Sequence, residues 1–296
     1  MKSVISSIFV FGSLYWSTLL SASVTDYKLA TWNIQGAGSG AASNSKWVTG
    51  IANMFLRENI QIVAIQEAGA RPPSASPLAI PGTTGGIDLQ RIAGGAQNRV
   101  NPQRRGVVSD VEESIWRPGG RRGGDIYIYH INHDTSAHRV NIAIASRIRA
   151  DEILIIPPLE NGPNARPTLG IRIGNDYFFS LHAGAHQHNE AAMIVQFIDN
   201  YMANSVLPQR SEATWIVMGD FNQSPDSLRA SLSLPGTLML NAYHVIDPNV
   251  PTHQGGNTLD YAVLGAATGT VRLFAVPLIA AMMTYMSDHI AVRFNR

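Results

Sequence analysis

Six short polar segments, each closing an apolar run, hold most of the residues that could do chemistry. They are Trp32-Asn33-Ile34-Gln35-Gly36, Gln66-Glu67, Ser180-Leu181-His182-Ala183, Gly219-Asp220-Phe221-Asn222, Leu259-Asp260-Tyr261 and Ser287-Asp288-His289. Taken singly, each has an ordinary explanation, since Asp or Asn at a strand end forms turns and caps, and a histidine after a strand is more often structural than catalytic. Taken together they supply what hydrolysis of a phosphodiester requires: oxygen ligands for a cation, a base for water and an acid for the leaving oxygen. Glu67, Asp288 and Asn33 offer oxygen ligands suited to Mg²⁺ or Mn²⁺ with several waters retained, and unsuited to a closed zinc site. Cysteine is absent, which excludes a thiolate nucleophile, a cysteine zinc site and a disulfide-linked partner.

Two histidine groups compete for attention. His182, His186 and His188 spell H-x-x-x-H-x-H, a zinc-like spacing, but the last two precede a predicted helix in a loop containing Gly and Asn, and the zinc reading is set aside. His130, His133 and His138 cluster near a turn and are read as surface residues.

The elements that must position these groups begin with a strand over 27–33, a helix over 46–57 with Trp47, Ile51, Met54 and Phe55 at helical spacing, and a strand over 60–66 ending at Glu67. That order brings Asn33 and Glu67 to corresponding strand ends, where α/β folds place their chemistry. Residues 68–125 then read as a long surface loop region rich in Gly, Pro and Arg, with Arg71, Arg91, Arg99, Arg104, Arg105, Arg117, Arg121 and Arg122. Such a region is either a surface that meets DNA or a partner, or a solvated insertion. Strands are predicted over 126–131, 140–146, 168–173, 177–182, 215–218, 258–264 and 289–294. Helices are predicted over 190–201, with Ile194, Phe197, Ile198 and Tyr201 inward, and over 225–232. Many strands and few helices indicate two packed sheets flanked by helices.

With 296 residues, 45% of them hydrophobic and 15% charged, the chain can close one large core, and no linker divides residues 24–296 into two domains. A net charge of +1 argues against holding nucleic acid by bulk electrostatics. The positive residues are almost all arginine, the better fork for phosphate, with Lys2, Lys28 and Lys46 the only lysines. Residues 1–23 read as a signal peptide: Lys2, an uncharged run from Val4 to Leu20, then Ser21-Ala22-Ser23, with the mature chain starting near Val24. An uncleaved membrane anchor is the rival, weakened by the serines and threonine that dilute the run.

The ordered set WN-QG, QEAG, RVN-AI-S, RP--GIRIG, HA, GDFN, LDY and SDH resembles the DNase I-like superfamily, and its spelling is similar to cytolethal distending toxin B subunits over nearly all of the mature chain. The resemblance implies an α/β four-layer sandwich of two mixed or antiparallel sheets between helices. It also implies a secreted, Mg²⁺- or Mn²⁺-dependent endonuclease that cleaves double-stranded DNA in the host nucleus as the active subunit of a genotoxin. A phosphoinositide phosphatase using the same site is the alternative, and a catalytically dead delivery module is disfavoured by the intact set of site residues. The implied roles are Glu67 as principal metal ligand with Asn33 and Asp288 nearby, and His182 and His289 flanking the scissile phosphate with Asp220 and Asn222 between them. Asp260 would orient His289, while Arg139 and Arg166 would grip phosphate. Water activation has been read in this superfamily through an Asp–His pair or through the GDFN aspartate; it is assigned here to His289 with Asp260, and leaving-group protonation to His182. Nuclease relatives back the first histidine with a carboxylate from the preceding loop; Arg117 stands near that place here, with Glu112 or Glu113 as substitutes. Lectin-like delivery subunits are the implied partners.

Overall fold

Apolar strands paired through their backbones build two sheets, and the register of those pairs decides where the polar segments meet. The computed structural model describes residues 23–36, 45–78, 111–133, 139–159, 165–185, 189–234, 239–266, 273–278 and 287–296. Residues 1–22 of the leader expected over 1–23, Arg91, Arg99, Arg104, Arg105, His138, His186 and His188 lie outside the described residues.

The first sheet joins β1 (Leu29–Gly36), β2 (Ile62–Ala68), β3 (Ser76–Pro77), β4 (Val111–Trp116), β5 (Ile126–Ile131), β6 (Ile142–Ser146), β13 (Phe274–Pro277) and β14 (Val292–Asn295), in the order β13-β14-β1-β2-β6-β5-β4-β3. The second joins β7 (Glu152–Ile156), β8 (Thr168–Ile173), β9 (Asp176–His182), β10 (Thr214–Asp220), β11 (Ala242–Ile246) and β12 (Asp260–Ala266), in the order β11-β12-β10-β9-β8-β7. Both sheets are mixed: β1 runs parallel to β2 and β9 parallel to β10, while the other pairs are antiparallel. The central strands are buried along nearly their whole length, as strands covered on both faces must be.

Between the sheets lies a core of Ile62, Ala64, Ile144, Phe178, Ile216, Met218, Ala262 and Val292 with their neighbours. On the outer face of the first sheet, a π-helical segment Lys46–Ile51 runs into α1 (Ala52–Leu56) and buries Trp47, Ile51, Met54 and Phe55 against Trp32 and Ile65. On the outer face of the second, α2 (Glu190–Tyr201) and α3 (Pro225–Leu232) cover Leu181, Trp215, Val217 and Tyr261. Ser224 caps α3 through Ser227 N, with Pro225 at the first helical position, where its missing N–H costs nothing. The result is the expected four-layer α/β sandwich.

The sheets are also tied by polar contacts just beneath the strand ends. Thr31 Oγ1 donates to Gln66 Oε1 (3.2 Å), and Gln66 Nε2 donates to Ser180 Oγ (3.0 Å), all three being buried. A one-residue slip of either sheet would strand these groups without partners, at about 1–3 kcal/mol each.

Several sequence expectations need correction. The stretch 68–125 is not loop throughout: β4 lies inside it, with Trp116 buried and its indole donating to Ser74 Oγ (3.0 Å). The alternation Val111-Glu-Glu-Ser-Ile-Trp116 is imperfect because Glu113 and Ser114 are buried too, which hides the strand from a period-two reading. β7, β11 and β13 were not expected; β11 and β13 are edge strands with half-exposed faces. His289 lies ahead of β14, in an isolated bridge to His253, and Phe197 of α2 is only half buried.

Candidate active site

Parallel pairing of β1 with β2 places Asn33 beside Gln66, so that Asn33 and Glu67 emerge at one end of the first sheet. In the second sheet Asp220 pairs with His182 on β9 and with Asp260 on β12, which brings three chemical groups side by side across adjacent strand ends. Asn33 Nδ2 donates to Asp220 Oδ2 (3.0 Å) and joins the two groups across the interface between the sheets. Trp32 Nε1 donates to His289 O (3.1 Å) and Ser287 Oγ to Asn33 O (2.8 Å), which bring the Ser287-Asp288-His289 segment to the same place.

Close approach is built into the backbone here. A Cβ on Gly36 would stand 2.5 Å from Glu67 O, and one on Gly219 only 1.9 Å from Leu181 O, so both positions demand glycine. Glu67 itself has φ +46 and Asn222 φ +50, in the left-handed region that non-glycine residues rarely occupy. The turn after Glu67 is pinned by Trp47 Nε1 on Ala68 O (3.0 Å) and by His130 Nε2 and Asn141 Nδ2 on Gly69 O (2.9 and 3.0 Å). His130 is therefore a buried scaffold residue of β5, not a surface residue.

Around this floor the carboxylates and imidazoles form a continuous set. His182 Nε2 lies 3.5 Å from Asp220 Oδ2 and 3.8 Å from Glu67 Oε1. His289 Nε2 lies 3.7 Å from Asp220 Oδ2 and 3.6 Å from Asp288 Oδ1, while its Nδ1 donates to Asp260 Oδ2 at 2.8 Å. Asp260 is fully buried, so this is a charge-assisted hydrogen bond in a dry place. Asn222 Nδ2 and Arg166 Nη1 both donate to Ala183 O (2.7 Å each), and Asn222 N donates to Asp220 Oδ1 (2.9 Å). Arg139 is exposed in the turn leading into β6, which Asn141 ties to Gly69 beside Glu67.

The protonation preferences follow from this geometry. Burial would lower His289, but the hydrogen bond and charge of Asp260, with the charges of Asp220 and Asp288, raise it to about 9. His182 is held well below its ordinary value by burial and by the positive charges of Arg166 and His289. Burial and then the charge of Asp260 push Asp220 up to about 6, against the pull of His289 and the hydrogen bonds from Asn33 and Asn222. Glu67 is raised by burial, opposed by Arg166 and by a hydrogen bond from Asn33.

The carboxylate with which nuclease relatives back the first histidine is not found among the described residues, and neither Glu112 nor Glu113 substitutes for it. Arg117 pairs with Asp125 (2.5 Å), Glu112 with Arg71 (3.1 Å) and Glu113 with Arg149 (2.9 Å), and His182 Nδ1 is buried without a hydrogen-bond partner among them. The shifts favour the reverse of the division with His182 as acid and His289 as base: burial and the charges of Arg166 and His289 disfavour a proton on His182, while the contact with Asp260 favours one on His289.

The donor set fits a hard divalent cation. Glu67 and Asp288 are partly exposed carboxylates, and Asp288 Oδ1 is a buried oxygen with no hydrogen-bond partner among the described residues. Asn33 is more engaged than expected: Oδ1 accepts from Gln35 N (3.0 Å), leaving one lone pair open. Motif reading missed four further residues. Lys46 donates to Gln35 O (2.8 Å) and feels the charges of Glu67 and Asp288, and Gln35 Oε1 accepts from Asp288 N (3.0 Å). His253 Nε2 stands 3.4 Å from Asp288 Oδ2, and Asn141 anchors the turn after Glu67. Gln35 and Asn141 sit inside the quoted motifs and could have been found there; Lys46 and His253 carried no sequence signal.

Comparison with known proteins identifies the family. The profile of the Endonuclease/Exonuclease/phosphatase family matches residues 30–289. The chain is 33% identical to the B subunit of the cytolethal distending toxin of Escherichia coli over the full length of both, and 37% identical to a homolog of that B subunit in Salmonella typhi over 82% of this chain and 80% of that one. It superposes on a chain of the cytolethal distending toxin crystal structure from Actinobacillus actinomycetemcomitans with a TM-score of 0.75 at 32% identity, covering 92% of this chain and 98% of that one. The chain therefore belongs to the endonuclease/exonuclease/phosphatase family, a family of phosphate-ester hydrolases, and within it to the cytolethal distending toxin B subunits.

Proposed function

We propose that the chain is a secreted, divalent-cation-dependent endonuclease that hydrolyses phosphodiester bonds of double-stranded DNA as the active subunit of a genotoxin. The observation that carries this reading is the placement of Asp220 Oδ2 3.5 Å from His182 Nε2 and 3.7 Å from His289 Nε2, with the partly exposed carboxylates of Glu67 and Asp288 on the same two imidazoles. Mg²⁺ or Mn²⁺ held by Glu67 and Asp288, with Asn33 beside them, would supply positive charge to the non-bridging phosphate oxygens.

The chain's own groups divide the proton work as follows. Asp220, with a pKa of about 6, is ionised at neutral pH yet basic enough to accept a proton from the attacking water. His289 is the imidazole that holds a proton to give to the leaving oxygen, and buried Asp260 fixes its tautomer and stabilises its charge. His182, neutral, presents Nε2 towards the scissile phosphate, and Arg166 adds a fixed positive charge at the Ala183 wall. Arg139, exposed on the rim, is the second phosphate contact. Secretion, entry into host nuclei and delivery by companion proteins rest on the relatives, which are components of a toxin.

Nicking of supercoiled plasmid by the mature chain in Mg²⁺, with EDTA as control and phosphate release from a soluble inositol phosphate measured alongside, tests the reading. Nicking in Mg²⁺ and none in EDTA supports it. Release from the inositol phosphate without nicking would assign the site to phosphoinositide instead.

A further inference from the structure

His253 takes no part in the proton work, yet its ring packs against the groups that do it. It lies between β11 and β12 in an antiparallel bridge with His289, and the two imidazoles meet edge to face with centroids 4.8 Å apart. Gln254 N donates to Asp288 O (2.9 Å) and Ile290 N to Thr252 O (2.6 Å), so the two segments are clamped on either side of Asp288.

The tautomer of His253 follows from one hydrogen bond. Gly255 N donates to Nδ1 at 2.9 Å, so Nδ1 is an acceptor and the proton of the neutral ring sits on Nε2. Nε2 stands 3.4 Å from Asp288 Oδ2, an electrostatic contact rather than a formed hydrogen bond. The other oxygen, Oδ1, is buried without a hydrogen-bond partner among the described residues and faces His289 Nε2 at 3.6 Å. Ligand atoms of His253, Asp288 and His289 all lie within 4.8 Å of one another, which suggests a His₂–carboxylate metal site. The tautomer opposes it: a nitrogen that carries a proton has no lone pair for a metal.

We propose that His253 is a positioning residue for Asp288: its Nε2–H, 3.4 Å from Oδ2, is the donor that restrains this carboxylate once it holds a cation. This deepens the metal reading of Asp288 and rests on it. Groups that hydrogen-bond a metal ligand without touching the metal orient that ligand, and their loss weakens binding by about 10–100-fold.

The test is calorimetric titration of the mature chain with Mn²⁺ alone, for wild type, His253→Ala and His253→Gln, with the Mg²⁺ dependence of plasmid nicking measured on the same three proteins. Glutamine keeps an N–H donor and alanine does not. His253→Ala should bind Mn²⁺ about tenfold more weakly and need correspondingly more Mg²⁺, with nicking at saturating Mg²⁺ within about threefold of wild type. His253→Gln should recover most of the affinity, and all three should melt together in EDTA. Should the alanine variant fail to fold, His253→Leu, which fills the space without a donor, takes its place. Wild-type Mn²⁺ affinity in the variant without a donor overturns the inference, as does a glutamine variant as weak as alanine, which would make His253 a direct ligand. A wild type that binds no Mn²⁺ and nicks equally in EDTA instead overturns the metal reading beneath it.

Discussion

Replacing Asp260 by Asn removes one charge from the site and almost no volume, so its consequences can be worked out from the hydrogen bond it breaks. Asp260 Oδ2 holds His289 Nδ1 at 2.8 Å in a fully buried place, and this contact heads the causes that raise His289 to about 9 from 6.5. With that carboxylate gone, burial remains, opposed only by the charges of Asp220 and Asp288, and the imidazole falls towards its ordinary value, a change of up to about 3 kcal/mol in favour of the neutral ring. Proton NMR titration of the His289 ring should show it charged at pH 7.5 in wild type and neutral in Asp260→Asn. Plasmid nicking at pH 7.5 should drop by about 10²–10⁴, the scale for a misprotonated acid–base group. Stability should follow the same linkage. Because the folded pKa of His289 is raised, its contribution is fully present below about 6.5 and is lost as pH rises through about 9, so the Tm gap between wild type and variant should be widest near pH 6 and close at high pH. A His289 that titrates within about half a pH unit in both proteins would refute the reasoning.

Asp220→Asn should abolish nicking yet stabilise the protein in EDTA at pH 8, by about 1–3 kcal/mol, since it removes a buried charge whose raised pKa makes the ionised form a liability above about 6. The gain should vanish at pH 4, where the wild-type carboxyl is already protonated; thermal melts at both pH values check this. Glu67→Gln should raise the Mg²⁺ concentration needed for half-maximal nicking by about tenfold or more while leaving the EDTA melting curve close to wild type. Replacing Arg104, Arg105, Arg121 and Arg122 by Ala should flatten the salt dependence of nicking at sub-saturating DNA, because fewer counterions are released, while sparing hydrolysis of a short inositol phosphate.

The two-sheet sandwich was legible because its central strands are long apolar runs that end in polar triplets, as in Trp215–Asp220 and Tyr177–His182. The meeting of Asn33, Glu67, His182, Asp220, Asp260, Asp288 and His289 was legible for a related reason: the first four close strands that run parallel in pairs, and Asp260 and the 287–289 segment open or precede strands antiparallel to them. The edge strands were not legible, since β11 and β13 bury too little of either face to impose a hydrophobic period. Nor were the different surroundings of the two histidines. His182 and His289 look alike in sequence, and only the structure sets buried Asp260 behind one and leaves Nδ1 of the other without a partner among the described residues. Lys46 and His253 were invisible because they reach the site from segments with no motif, through contacts to Gln35 O and Asp288.

In the proposed reaction this constellation breaks a phosphodiester bond in DNA with Asp220 as the base and a divalent cation on Glu67 and Asp288. The most direct measurement is the pH profile of plasmid nicking by the mature chain at saturating Mg²⁺, beside an EDTA control. An acid limb set by Asp220 near pH 6, a basic limb set by His289 near pH 9 that moves down in Asp260→Asn, and no nicking in EDTA are the predicted results. Nicking that persists in EDTA, or that keeps its rate and both limbs in Asp220→Asn, would contradict it.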